Sequence, residues 1–441
     1  LPTWTNASFT TRNYLATDRL ETAPDKMLRY RVQGALRHES ESKKSKWVIT
    51  WDKYSDVRMP GDFKSEDFEV NTAQQTLFYT RHQGDEGLIS FKCRPRVNSF
   101  ESIRQDLPSL YAALLPQAIG ASGIYHFFRG KVGYVSFAYS DKLKTSIPDF
   151  QSGRLDVRES LFRPIGCGPL MITPYGSVNY VFYTTSPSHR PRSALFFGYG
   201  LDLTARGIRS YGENRHTIEP YIRYTALTRP STRPDRHYIF SIADGFNEIN
   251  QIRFGIRNRW NQEWTIDAYA NAFFSDPTIP QWIPRLYLTT EGNWPSLATA
   301  TQVIWNFRNQ VLDVATLRIG WTLSENAAIA VEGRYRSQYD WRKADHDNFI
   351  LDTTRSQADL LDSPLSDRRV TLLSHLFLRL TPFWECHIQS HHGFYRADEK
   401  PYNEVKVDLF TWISAAWKLR LSYSHTDKDD RVTAGVSLVK K

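Results

Sequence analysis

The sequence predicts an all-β chain folded as one large antiparallel transmembrane β-barrel of about two dozen strands. Three observations carry that prediction. Aromatic residues are 14% of the 441 residues, with 13 Trp, 23 Tyr and 25 Phe, yet mean hydropathy is -0.50. A membrane barrel reconciles the two, because only every second strand residue meets lipid while Trp and Tyr gather at the interfaces. Segments of roughly ten residues with alternating polarity recur along the chain, each closed by a polar or Gly/Pro-bearing turn. No linker, composition shift, low-complexity tract or strict repeat divides the chain, as a soluble sandwich of this length would require. Residues 1–441 are therefore read as a single barrel domain.

The repeating unit starts at about Leu28. KWVITWDKYS (46–55) is the first clear segment. Leu107 to Phe128 carries no Asp, Glu, Lys or Arg, which invites a membrane helix. Pro108, Pro116, Gln117, Gly120 and Gly123 instead point to strand, turn, strand. SALFFGYGLDLTARG (193–207) sets Leu195, Phe197, Tyr199, Leu201 and Leu203 on one face. TIEPYIRYTAL (217–227) opposes Ile218, Ile222 and Tyr224 to Glu219, Tyr221 and Arg223. DGFNEINQIRFGIRNRW (244–260) is ambiguous alone, since Ile249, Ile252 and Ile256 also fit helical spacing. Its strand-like neighbours, 217–227 and WTIDAYANAFF (264–274), decide for a strand. Ile252, Phe254, Ile256 and Trp260 then face lipid, and Arg253, Arg257 and Arg259 the lumen. VLDVATLRIGWTL (311–323) and AIAVEGRYRSQ (328–338) continue the pattern, and EVKVDLFTWIS (404–414), WKLRLSYSH (417–425) and RVTAGVSL (431–438) complete it.

Net charge is +9 and pI about 9.2, but Lys and Arg are spread rather than clustered. Nucleic-acid binding requires a basic patch or stripe and is excluded as a partner class. No catalytic, phosphate-loop or dinucleotide pattern occurs, so no enzyme activity or cofactor is implied. HTDKDD (425–430) lacks calcium-loop spacing, His391-His392 reads as a surface turn after a strand, and no metal site is expected. Cys93, Cys167 and Cys386 are an odd set, open either to a disulfide or to three idle thiols. The Asn6-Ala7-Ser8 sequon reads as chance, and any leader peptide is expected to be absent from this stretch.

The lumen face is basic. Arg223, Arg253, Arg257, Arg259, Arg318, Arg334 and Arg336 share it with Glu219, Asp267, Asp313 and Glu332. Two roles fit: a wall of compensating ion pairs, or a path for a phosphorylated amphiphile, since guanidinium pairs bidentately with phosphate.

Three stretches resemble the barrel region of the lipopolysaccharide-assembly outer-membrane proteins, the LptD or organic solvent tolerance family. They are GRLDVRESLFRPIGCGPLMITPYGSVNYVFY (153–183) with its T-P-Y-G strand, HTIEPYIRYTAL (216–227) with its E-P-x-x-x-Y strand, and HYIFSIADGFNEINQIRFGIRNRW (237–260). The resemblance implies insertion of lipopolysaccharide into the outer leaflet of the bacterial outer membrane, through the lumen and a lateral seam between first and last strands. It implies lipopolysaccharide and outer-membrane lipids as ligands, a plug lipoprotein and periplasmic bridge proteins as partners. Val432, Ala434, Val436 and Leu438 would form one side of the seam, with Pro24 (or Pro2) weakening the other. The sequence departs from the family in lacking a jelly-roll before the barrel, and only Cys386 stands near the family's C-terminal cysteine pair. The competing readings are a passive porin-like or substrate-specific channel, and a barrel enzyme. The SLVKK ending and the basic lumen favour lipopolysaccharide insertion over a porin.

Overall fold

The computed structural model describes residues 7–17, 28–56, 59, 76–241, 244–246, 248–274, 282–337, 369–395, 401–414, 417–427 and 430–438. They form 25 antiparallel strands, β1 (Ala7–Thr17) to β25 (Asp430–Leu438), joined into one sheet. The chain is the large outer-membrane β-barrel that the alternation predicts. No helix of the described residues is long and apolar enough to cross a membrane.

Three strands are short extensions rather than staves. β6 (Ile103–Leu114) continues past Pro116 as β7 (Gln117–Ala118), and both pair with β8 (Tyr125–Ala138). β9 (Phe150–Phe162) continues past Pro164 as β10 (Ile165–Cys167), and both pair with β11 (Leu170–Tyr183). β12 (Arg192–Ala205) continues as β13 (Gly207–Tyr211), and both pair with β14 (Asn214–Leu227). Twenty-two full staves remain among the described residues. The expected strand–turn–strand of Leu107–Phe128 is the β6–β8 hairpin.

The two barrel ends differ. At one, β15 (Ile249–Trp260) meets β16 (Trp264–Phe273) across 261–263, and β19 (Val311–Ser324) meets β20 (Ala327–Arg336) across 325–326. At the other, connections such as 139–149 and 228–248 are longer. In outer-membrane barrels the short turns face the periplasm and the longer loops the exterior. Exposed tryptophans ring the short-turn end: Trp260, Trp264, Trp294, Trp321, Trp384 and Trp417. Trp282, Trp305, Phe394 and Tyr395 lie exposed toward the long-loop end. β22 (Trp384–Phe394) carries one aromatic of each girdle ten residues apart. That is about 33 Å along a strand, or about 24 Å of membrane at a tilt of about 40–45°.

Pleating puts Ile252, Phe254, Ile256 and Trp260 of β15 on one face, with Phe254, Ile256 and Trp260 exposed. Such residues need no protein core, because lipid takes the place of one and the ladder satisfies the backbone. The protein's own apolar clusters are small and sit on the lumen side. One joins Val135, Val181 and Tyr183 to Phe240; the other joins Tyr287, Ile304 and Val314.

Two expectations change. His391 and His392 are not in a turn but inside β22, paired with Leu373 and Leu372. The strand ends at Trp384 and Phe394, so it runs further than its polarity suggested. All three cysteines are free, on β5 (Gly87–Arg94), β10 and β22, so no disulfide forms among them. Of the seam residues, Val432, Ala434 and Val436 are exposed on β25, which pairs with β24 (Trp417–Thr426). Leu438 lies on the same strand, and Pro24 and Pro2 lie outside the described residues. Among the described residues β1 pairs with β2 (Leu28–Glu39), and no register joins it to β25.

Candidate functional site: the lumen wall and its inward loop

The lumen arginines fall into two groups. On β19 and β20, Arg318 and Arg334 both pair with Glu332, at 2.8 and 2.5 Å, and Arg336 stands two residues beyond Arg334 on the same face. On β14 and β15, Arg223, Arg253, Arg257 and Arg259 gather with β12 and β16. Arg223 pairs with Asp202 at 2.8 Å, Arg257 with Asp267 at 2.8 Å, and Arg259 with Glu219 at 3.5 Å. Arg253 donates its Nε–H to Asn271 at 2.8 Å and lies 4.8 Å over the Tyr269 ring. Arg223, Arg253, Arg257, Tyr221, Tyr269 and the three carboxylates line a cavity of about 170 Å³.

Two tyrosines brace this wall. Tyr175 on β11 stands opposite Gly200 on β12. Its ring lies across that glycine, and its hydroxyl meets the Thr225 hydroxyl on β14 at 2.8 Å. Tyr221 on β14 stands opposite Gly255 on β15 and reaches across it, donating to Asp267 on β16 at 2.9 Å. A Cβ at Gly200 or Gly255 would lie 2.3 or 2.7 Å from the tyrosine hydroxyl, so glycine is required at both positions. A tyrosine laid over a glycine restores the missing side chain of that strand and pins the register of three staves.

At the long-loop end, the described residues 237–241 and 244–246 of the β14–β15 connection pack inward on the wall. Asp244 is 1% exposed and forms a 2.8 Å ion pair with Arg154 of β9, whose Nε–H is not aligned for a true hydrogen bond. The Tyr183 hydroxyl and the backbone N–H groups of Phe240 and Ser241 donate to the same carboxylate, at 2.9, 3.1 and 2.8 Å. Phe240 and Tyr238 pack on Phe150 of the wall. His237 stacks on Tyr183 with centroids 4.8 Å apart, and its Nε2 has no partner among the described residues. Burial holds the His237 pKa below the ordinary histidine value.

Elsewhere at this end, lumen-side pairs are equally dry. Arg29 with Asp56, Arg31 with Asp52, and Arg285 with Asp313 lie at 2.9, 2.8 and 2.6 Å, each arginine at most 4% exposed. Toward the short-turn end, Arg206 and Arg318 are 54% and 63% exposed. Among the described residues the lumen wall is thus dry at the long-loop end and wet toward the short turns. Sequence reading placed the arginines of the open half but missed the buried pairs and the Asp244 latch. Among the described residues no three His, Cys, Asp or Glu converge as metal ligands.

Fold and site together define a large outer-membrane barrel with a polar lumen wall. No protein-family model matches the chain, and no curated protein matches it. Among solved structures, it is similar to the siderophore receptor PirA from Acinetobacter baumannii, with TM-score 0.51 and 8% identity over 95% of this chain and 76% of that one. PirA from Pseudomonas aeruginosa matches at TM-score 0.49 and 10% identity over 98% and 78% of the two chains. The copper transporter OprC matches at 0.41 and 8%, over 95% and 72%. These neighbours are receptor and transporter barrels.

The fold likeness to the siderophore receptor PirA from Acinetobacter baumannii overturns the lipopolysaccharide-assembly resemblance and the insertion function, with the lipopolysaccharide ligand and the bridge and plug partners it implied. The physical reason lies in the motifs. Pro174-Tyr175 and Pro220-Tyr221, at the heart of the T-P-Y-G and E-P strands, are the two tyrosines laid over Gly200 and Gly255. They specify how wide staves pack, not what passes between them.

Proposed function

We propose that the protein is a substrate-specific outer-membrane transport barrel, with loop 228–248 closing its outer mouth, and that it carries out no catalysis. The observation that carries this reading is the burial gradient of the lumen wall. Pairs such as Arg31–Asp52 and Arg285–Asp313 at the long-loop end are sealed, whereas Arg206 and Arg318 toward the short turns are in water. An open porin would be wet throughout. Barrels of twenty-two strands typically enclose a plugged rather than an open lumen, which supports the same reading. So does the fold likeness to a protein described as a siderophore receptor. In planar bilayers the wild-type barrel should conduct small ions poorly, and Asp244→Ala should raise the conductance several-fold. A large, steady wild-type conductance unchanged by that substitution would return the protein to the passive-porin reading.

A further inference from the structure

Charge on the β12–β16 wall does not balance. Arg206, Arg223, Arg253, Arg257 and Arg259 face three carboxylates, Asp202, Glu219 and Asp267. Glu219 is shared between Arg206 and Arg259 at 3.5 Å each. Arg253 has no carboxylate partner among the described residues; its Nε is engaged by the neutral Asn271. It also stands directly opposite Arg223 in the ladder. Like charges placed directly across a strand pair repel. A wall that keeps such a pair beside a cavity is built for an anion to enter between them.

We infer that Arg253 and Arg223 hold an oxyanion, of the carboxylate class, carried by a water-soluble solute. The inference rests on the transport reading and names its substrate class. Both arginines spend their Nε on the wall, Arg223 on Asp202 and Arg253 on Asn271. The outer edge of each guanidinium is left for a ligand, and a planar carboxylate accepts two parallel N–H groups from such a fork. Tyr269 lies beneath Arg253 at 4.8 Å and holds its plane in place. The cavity, about 170 Å³, has the space of about five or six water molecules. That suits a small dicarboxylate or the anionic end of a larger solute. Its lining is mostly charged, hydroxylic or aromatic, with Leu203 and Ile222 as the aliphatic residues, which favours a small polar anion over an acyl chain.

The test is calorimetric titration of the full chain, in zwitterionic detergent, with malonate. Wild type should bind one malonate saturably. Arg253→Gln should weaken binding at least about tenfold, the scale of one lost charged hydrogen bond. Arg253→Lys, which keeps the charge and loses the fork, should fall between, and Arg318→Gln on the separate β19–β20 group should bind as wild type. Absence of malonate binding by wild type overturns the inference. So does equal binding by Arg253→Gln, or binding of dihexanoyl phosphatidic acid in place of malonate, which would make the ligand a lipid headgroup. Binding is read at equilibrium, without flux. A barrel that binds malonate and passes no solute would sink the transport reading and leave the anion site standing.

Discussion

Asp244→Ala should release loop 228–248 from the lumen wall. The carboxylate is 1% exposed and meets Arg154 at 2.8 Å, the Tyr183 hydroxyl at 2.9 Å and two backbone N–H groups. Removing one partner of a buried ion pair costs about 3–5 kcal/mol, mostly by stranding the other charge. Arg154 keeps a second carboxylate, Asp156 at 3.0 Å, so the lower end applies. About 3 kcal/mol corresponds to roughly a hundredfold rise in the open population. Trypsin reads that population. The loop contains Arg229, Arg233 and Arg236, and the first two precede proline, which blocks cleavage. The susceptible bond is Arg236–His237, and His237 is 3% exposed in the docked loop. Where opening is fast relative to cleavage, the cut rate follows the open fraction. Cleavage of the variant should therefore rise by between ten- and a hundredfold, roughly. A change under about twofold would show that Asp244 does not latch the loop.

Three further outcomes follow from the same geometry. Burial depresses the His237 pKa, so the docked loop binds fewer protons than the released one. Docking should be at full strength above about pH 6.5, the unperturbed histidine value, and weaken as pH falls below it. Cleavage at Arg236–His237, normalised to an unstructured peptide, should accelerate toward pH 5.5, and His237→Phe should flatten the response. Gly255→Ala puts a methyl group 2.7 Å from the Tyr221 hydroxyl and should lower stability by about 1–3 kcal/mol, seen as a lower thermal midpoint in detergent. Pairing it with Tyr221→Ala should recover part of that loss; strictly additive effects would dissociate the tyrosine from the glycine. Phe254→Arg puts a charge on the lipid face near mid-strand and should cost about 2–4 kcal/mol in refolding into lipid vesicles. A neutral result would reverse the face assignment of β15.

Most staves were legible because period-two alternation survives wherever one side meets lipid. Leu195, Phe197, Tyr199, Leu201 and Leu203 against Asp202 and Thr204 needed no tertiary information. β1 was missed, since ASFTTRNYLAT is polar at too many positions on both faces. The buried pairs were illegible for another reason. Arg29 and Asp56 are 27 residues apart, and Arg285 and Asp313 are 28 apart. Each pair forms only when separate staves and connections fall into register, and nothing local distinguishes a sealed arginine from a wet one. Asp244 read as part of an acidic, glycine-bearing loop; that it turns inward depends on Tyr183 and Arg154, two and three staves from β14.

The arginines of β15 illustrate how composition and chemistry separate. A period-two strand beside a wet lumen must fill half its positions with polar side chains, and arginine does so while covering wall with its aliphatic stem. Arg257 and Arg259 meet that architectural need and find carboxylates on the flanking staves, Asp267 and Glu219. From sequence alone Arg253 looks the same. The register sets it apart, placing Asn271 beside it on β16 and Arg223 opposite it on β14. One strand thus carries both the ion-paired arginines and the one proposed to take an anion. Charge substitution should tell them apart: Asn271→Asp, which gives Arg253 the carboxylate it lacks, should stabilise the wall while weakening malonate binding. Unchanged malonate affinity in that variant would mean that Arg253 is only wall.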